Sequence, residues 1–262
     1  MKRPLGSTGL RVSPLGLGTV LFGRTERLKY PGQPTILSDS RVRALLDLCR
    51  DSGMNLLDTA PAYGNSEERL GQLLAGERRN WVISSKVGEQ FERGRSSFDF
   101  TPQCARKSIE RSLRRLRTDY LDLVLVHSNG EDVAIIRQSG IINALLDLKK
   151  KGVIRAIGFS SKTVAGGIMA LENGCDVVMV THNPWYQDEL DVIDFAHQQG
   201  KGVLVKKPFD SGRFGGQNGN EGADRALHFI LSQPGVSSVL VGTGNPHHLA
   251  ANIQSILARF SD

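Results

Sequence analysis

The chain has 262 residues, 39% hydrophobic and 23% charged, enough for one large domain with a sizeable core. No apolar run is long enough to span a bilayer. The basic start Met1-Lys2-Arg3 runs into Pro4, Gly6, Ser7 and Thr8 rather than an apolar stretch, so the reading is a cytoplasmic protein without a signal peptide or membrane partner. The net charge of +6 suits an anionic small ligand. The densest basic stretch is Arg106, Lys107, Arg111, Arg114, Arg115 and Arg117. Ile109, Leu113 and Leu116 fall between these at helical spacing, and no aromatic residues are interleaved for base stacking. A solvated helix face is expected there, not a nucleic-acid surface.

In chain order, residues 2–13 read as a hairpin around Thr8-Gly9, with Leu10 and Val12 alternating against polar neighbours. A strict alternation of strand and helix follows. Strand one is Leu15 to Gly18, and after a long loop a helix spans Asp39 to Ser52. Strand two, Asn55 to Asp58, precedes a helix from Ser66 to Leu74. Strand three, Trp81 to Lys86, is followed by a polar loop, Gly88 to Phe100. The next helix is capped by Thr101, with Pro102 at its first position. Strand four is Leu121 to His127, its loop Ser128 to Gly140, its helix Ile141 to Lys151. Strand five, Ile154 to Phe159, pairs with a helix from Lys162 to Glu172. Strand six, Val177 to Thr181, leads to a helix from Glu189 to Gln199. Strand seven, Gly202 to Val205, leads to a glycine-rich loop, Ser211 to Gly222, and a helix from Asp224 to Ser232. Strand eight, Ser238 to Val241, leads to a helix from Asn245-Pro246 to Ala258.

Eight such units in one domain over 1–262 predict a closed (β/α)8 barrel of the TIM type with an N-terminal β-hairpin. The competing reading is an open sheet with helices on both faces. It lacks a Gly-x-Gly-x-x-Gly turn after the first strand, where Leu21 stands in place of the last glycine. The three cysteines, Cys49, Cys104 and Cys175, form no Cys-x-x-Cys pair and read as reduced, packed thiols.

In such barrels the active site lies at the carboxyl ends of the strands. Asp58, Lys86 and His127 end strands two, three and four. Tyr63 follows Asp58 by five positions, across a turn that Pro61 forces. Each residue has a plain structural reading: a cap, a surface ion pair, a core histidine, packing. Together at one rim they make a general acid aimed at a carbonyl oxygen. The Lys86 ammonium, held by Asp58, is expected to lower the pKa of the Tyr63 phenol, and His127 to orient the substrate oxygen. None of the four donates electrons, so reduction needs a cofactor. Beside the four, Gly242-Thr243-Gly244-Asn245-Pro246, a glycine loop opening a helix next to Lys206 and Lys207, reads as a phosphate site, with ordinary loop turning as its plainer alternative.

Over nearly its whole length the chain resembles the aldo-keto reductase superfamily. The matching stretches are the hairpin, Gly16-Leu17-Gly18-Thr19, Asp58 through Tyr63, Lys86, His127, Gly158-Phe159-Ser160-Ser161, and Gly242-Thr243-Gly244 with Asn252. Asp58, Tyr63, Lys86 and His127 match that family's catalytic tetrad by type and order. The resemblance implies an NAD(P)H-dependent reductase or dehydrogenase acting on small aldehydes, aldoses or ketones, with Tyr63 exchanging the proton. It also implies Thr19 near the nicotinamide, Ser160 and Ser161 on its carboxamide, Phe209, Ser211 and Gly212 over the pyrophosphate, and Asn252 at the adenine. The chain departs from the family pattern in several places. Met179 stands for a frequent Gln, Lys206 for an aromatic under the nicotinamide, Ser161 for an Asn, His248 for an Arg near the 2′-phosphate, and Ala251 for a Glu. Lys206 and the net charge lean toward NADP(H) over NAD(H). Phe22, Tyr30, Phe91 and Trp185 are candidate lining residues of a shallow substrate cleft, each with simple packing as its plainer reading, and the glycine-rich loop a candidate lid. Three other functions compete: a Schiff-base lyase using Lys86, a non-catalytic nucleotide-binding subunit, and, weakly, a metal hydrolase with His247-His248 as its one close histidine pair.

Overall fold

The computed structural model describes residues 2–28, 34–212 and 219–259. The chain opens with an antiparallel hairpin, β1 (Arg3–Pro4) and β2 (Arg11–Val12), in which Arg3 faces Val12. Strands β3 (Leu15–Gly18), β4 (Leu56–Asp58) and β5 (Val82–Val87) begin a parallel sheet. After β5 the chain forms an antiparallel ribbon of β6 (Glu89–Glu92) and β7 (Arg95–Phe98). The sheet then continues through β8 (Leu121–His127), β9 (Ile154–Ser160), β10 (Val177–Thr181), β11 (Gly202–Lys206) and β12 (Val236–Gly242). Pairing of β12 with β3 closes it into an eight-stranded barrel.

The helices are α1 (Asp39–Asp51), α2 (Ser66–Leu73), α3 (Pro102–Leu116), α4 (Asp132–Gln138), α5 (Ile141–Lys150), α6 (Val164–Glu172), α7 (Leu190–Gln198), α8 (Gly219–Ser232) and α9 (Pro246–Arg259). Their starts follow sequence chemistry. Side-chain oxygens of Ser38, Thr101 and Thr163 accept from the amides of Arg41, Cys104 and Gly166, satisfying donors that the first helical turn leaves over. The basic face of α3 is solvated as expected. Arg106 pairs with Asp147 and Arg115 with Glu67 and Glu68, while Ala105, Ile109 and Leu116 face the core.

Strand parity divides the core in two. One set of alternate residues, including Leu57, Ile83, Val124, Ile157, Val178, Val205 and Val239, packs against the helix ring. The other set, Leu56, Val82, Leu123, Leu125, Ala156, Val177, Met179, Leu204 and Leu240, fills the barrel with Leu5, Leu10 and Val12 of the hairpin. The hairpin therefore seals the amino-terminal end: Ser7 N donates to Gly200 O at 2.9 Å, and a Cβ on Gly6 would lie 2.3 Å from Gly202 N. Asp58, Lys86, His127 and Lys206 gather at the opposite end. Burial pushes the Cys49 and Cys175 thiols up to about 12, which makes them packing groups rather than nucleophiles.

Three stretches differ from the sequence reading. The segment from Gly88 to Phe100 is a ribbon, not a loop. Its two-residue turn is Arg93-Gly94, both at positive φ (49° and 75°), and Arg is not a residue that signals this turn. The loop after β8 contains α4, a helix of seven residues too short to show a repeated apolar stripe. Gly219 and Gly222 lie in α8, so the helix begins earlier than its apolar pattern.

Candidate active site

The same parity that builds the barrel interior places a polar ring at its carboxyl end. Continuing two positions beyond Leu56, Leu125 and Leu204 gives Asp58, His127 and Lys206. Two steps of two beyond Val82 and Ala156 give Lys86 and Ser160. The register brings them level: Asp58 stands opposite Gly18 and Ser84, and His127 opposite Ser160. Lys86 Nζ donates to both Asp58 carboxylate oxygens at 2.7 Å and to Thr59 O at 2.9 Å, and Ser84 Oγ donates to Asp58 Oδ1 at 3.0 Å.

Tyr63 reaches the same point from the turn after β4, where its amide donates to Ala60 O at 2.9 Å. The Lys86 ammonium lies 4.9 Å from its ring centre, and its ring meets that of His127 edge-on, with centres 6.4 Å apart at 86°. Backbone contact fixes the turn. Gly64 has φ 61°, and a Cβ there would lie 2.0 Å from Gly23 O. A Gly64→Ala variant is expected to lose roughly 1–3 kcal/mol by overpacking. Displacing Tyr63 is further expected to cut turnover by as much as ~10²-fold. Urea unfolding and steady-state assays read the two effects separately.

All four residues line one cavity of about 500 Å³, together with Gly18, Thr19, Ser160, Ser161, Met179, Lys206, Lys207 and Gly242. A second cavity of about 380 Å³ shares Tyr63, His127, Lys207 and Gly242 with it and adds Arg24, Arg27, Glu89, Phe209 and Ser211.

Electrostatics follow from burial and partners. Burial acts against the Lys86 charge, but Asp58 and Tyr63 outweigh it and its pKa is raised. Burial pushes the Tyr63 phenol up, with Lys86 acting against it. This corrects the expected lowering: Asp58 cancels much of the Lys86 charge, so desolvation of the phenolate wins. His127 is lowered by burial and by Lys86 and Lys206, with Glu89 opposing. Lys206 falls to about 8, chiefly through burial.

Glu89 is a participant that the sequence reading missed. Its Oε2 lies 2.8 Å from His127 Nδ1, an ion-pair distance at an angle short of a good hydrogen bond. Although burial acts against the charge, His127, Ser96 and Arg24 pull this carboxyl down to about 2. With Nδ1 turned to Glu89, Nε2 is the ring nitrogen left for the cavity. Glu89 sits on the β6–β7 ribbon, and only recognition of that ribbon would have revealed it.

The other candidates divide. Thr19 is fully buried and donates to Asp58 O at 3.0 Å, tying the ends of β3 and β4 together. Ser161 Oγ donates to Glu189 Oε2 at 3.2 Å, and Lys206 Nζ donates to Ser160 Oγ at 2.9 Å and Ser161 O at 2.6 Å. Thr243, Gly244, His248 and Asn252 gather at the start of α9 and on its first turns, outside both cavities; His248 is exposed and Asn252 buried. Gly212 ends a short 3-10 turn, Asp210–Gly212, against the undescribed residues 213–218. Of the candidate substrate contacts, Phe22 is wholly in the core, Phe91 stacks under Arg24 at 3.4 Å, and Trp185 is exposed. Tyr30 and the centre of the candidate lid lie outside the described residues.

A family model described as the Aldo/keto reductase family matches residues 14–225. A crystal structure of a Pseudomonas aeruginosa protein assigned to the aldo-keto reductases superposes with a TM-score of 0.87 at 48% identity, covering 98% of this chain and 96% of that one. The holo form of an aldo-keto reductase from Bacillus halodurans gives a TM-score of 0.82 at 26% identity, covering 97% and 90%. L-Galactose dehydrogenase of Arabidopsis thaliana is 27% identical over 292 residues, 97% of this chain and 87% of its own length.

Proposed function

This chain belongs to the aldo/keto reductase family and is an NAD(P)H-dependent oxidoreductase; on that premise we propose that it interconverts small aldehydes, aldoses or ketones with their alcohols, with Tyr63 as the general acid and base. The carrying observation is that Asp58, Tyr63, Lys86 and His127 line the cavity that also holds Ser160, Ser161 and Lys206.

The donor set fits a nicotinamide nucleotide. Ser160 Oγ accepts from Lys206, which leaves its own proton to donate. Gly18 and Gly242 stand side by side on β3 and β12, so two strands reach the cavity wall without a side chain. Lys207 lines both cavities, where a phosphate would find a cation. When bound, the nicotinamide supplies the hydride that none of the cavity's side chains can donate.

The chain's own groups manage the proton and the substrate oxygen. A half-buried phenol with a raised pKa keeps its proton at neutral pH and releases it only to an oxygen that gains charge. Lys86, fixed by Asp58 and Thr59 O, stabilises the phenolate left behind. His127 Nε2 accepts from an alcohol hydroxyl when the ring is neutral and donates to a carbonyl oxygen when it is protonated.

We assign NADP(H) over NAD(H) on the net charge of +6, on Lys207 and on His248, which pairs with a phosphate when protonated. The sugar dehydrogenase relative supports aldoses within the substrate class. Among the described residues no helix is long and apolar enough to cross a membrane.

The test is a fluorescence titration with NADPH and NADH, then a panel of small carbonyl compounds on the same sample. Tighter binding of NADPH and turnover of several small aldehydes or aldoses are expected. Nucleotide binding with no turnover across the panel would favour the non-catalytic subunit. Covalent trapping of substrate on Lys86 by borohydride would favour the lyase.

A further inference from the structure

We propose that Lys206 makes the cavity select for the redox state of its nucleotide, holding the reduced nicotinamide more tightly than the oxidised one. The inference rests on the reading that a nicotinamide occupies the tetrad cavity.

Lys206 is the last residue of β11, level with Thr181 of β10, and it is carried inward by the parity that points Leu204 into the barrel. Its ammonium is tethered rather than swinging: Nζ donates to Ser160 Oγ at 2.9 Å and to Ser161 O at 2.6 Å. Both acceptors are neutral, so the charge is fixed in place without being cancelled by contact. Two other ionic clusters at the cavity and its neighbour are held at close range. Lys86 and Asp58 form a two-oxygen pair at 2.7 Å, and Glu89 faces His127 at 2.8 Å and Arg24 at 3.9 Å. Glu189 is the nearest counter-charge in electrostatic terms, but its oxygens accept from Ser161 Oγ and Thr181 N, and burial raises its pKa. Lys206 is therefore a cation fixed at this cavity through neutral acceptors, with no carboxylate in contact among the described residues.

The nicotinamide couple differs in charge at one ring. The reduced dihydropyridine is neutral and the oxidised pyridinium carries a positive charge. A fixed ammonium in the same semi-enclosed cavity raises the energy of the oxidised form and leaves the reduced form nearly untouched. At an effective dielectric constant of about 20, repulsion between unit charges several ångströms apart corresponds to roughly a ten- to hundredfold difference in affinity. A tenfold difference is about 30 mV on a two-electron couple.

The effect also has a pH signature. Lys206 falls to about 8, through burial first and then the charges of Lys207 and Lys162, with Glu189 and Asp132 acting the other way. Its charge also acts on His127, which it helps to keep neutral. The preference for the reduced nucleotide is therefore full at pH 6.5–7 and fades as pH rises through about 8.

The test is calorimetric titration of the full chain with NADPH and with NADP⁺, at pH 7 and at pH 9.5, for the wild type, Lys206→Met and Lys206→Arg. Met keeps the unbranched stem without the charge, and Arg keeps the charge. The expected result at pH 7 is a wild-type preference for NADPH of at least about tenfold. Lys206→Met should bind NADP⁺ more tightly with NADPH nearly unchanged, lose most of the preference and lose its pH dependence. Lys206→Arg should retain the preference at both pH values. Equal loss of affinity for both nucleotides in Lys206→Met would mean that the ammonium merely holds a group common to both, and would overturn the proposal. So would an unchanged ratio. Failure of the wild type to bind either nucleotide removes the occupancy reading and this proposal with it, whereas binding with an unchanged ratio removes this proposal alone. Circular dichroism confirms that each variant is folded before titration.

Discussion

A Tyr63→Phe variant is expected to bind NADPH as tightly as the wild type and to lose about 10²–10⁴-fold in turnover, the usual contribution of a positioned proton donor. The substitution removes one hydroxyl and little else. The edge-on contact with the His127 ring and the approach of the Lys86 ammonium to the ring face both survive in phenylalanine. Gly64 and Gly23 still fix the turn, because their contact is between backbones. What disappears is the proton held in the cavity by a phenol whose pKa burial has raised. A loss confined to kcat, with nucleotide affinity intact, distinguishes this role from packing. Undiminished reductase activity would remove Tyr63 from the chemistry.

Asp58→Asn is expected to cost stability as well as activity, by about 3–5 kcal/mol in urea unfolding, because it strips a buried ammonium of its counter-charge. The side chains of Lys86 and Asp58 are only 2% and 7% exposed, and Lys86 retains Thr59 O as its other acceptor. Restoring electrical balance with Asp58→Asn/Lys86→Met should recover part of the stability and none of the turnover. The pair also fixes the pH range. Lys86 is raised above its unfolded value, so its contribution is fully present below the ordinary lysine range. That contribution is lost as pH rises through the higher folded value. Wild-type stability should fall on that alkaline side more steeply than that of the double variant. If Asp58→Asn unfolds at the wild-type urea concentration, the ion pair is not a stabilising element.

Much of this was readable before any coordinates because parity and position carry it. The barrel follows from eight apolar strands each trailed by an amphipathic helix, and the hairpin from Leu10 and Val12 alternating beside Gly9. Asp58, Lys86 and His127 could be found because each ends such a strand, and parallel strands of one barrel must deliver those ends to one rim. Tyr63 was found by its turn. Two things were hidden. Glu89 was hidden because an Arg93-Gly94 turn does not look like a hairpin turn, so its ribbon read as loop. The direction of the Tyr63 shift depends on how completely Asp58 offsets Lys86 and on how dry the phenol is, and neither is a property of spacing. Phe22 follows its plainer reading as a packing residue, since its three-residue 3-10 turn, Val20–Phe22, carries it into the core.

The placement of Lys206 shows the same division. Its position at a strand end was visible in the chain, but its tether to Ser160 and Ser161 comes from β9 lying across β10 from β11. Two strands apart in the barrel and 45 residues apart in sequence, Lys206 and Ser161 meet because closure curves the sheet.

The central claim is that these four side chains serve a hydride transfer from a nicotinamide to a carbonyl carbon. NADPH carrying deuterium at both C4 positions, incubated with the chain and an aldehyde in ordinary water, tests it by NMR of the isolated alcohol. One deuterium per molecule on the carbinol carbon, formed by the wild type and nearly abolished in Tyr63→Phe, is the expected result. An alcohol formed at the wild-type rate with only solvent hydrogen on that carbon would contradict it.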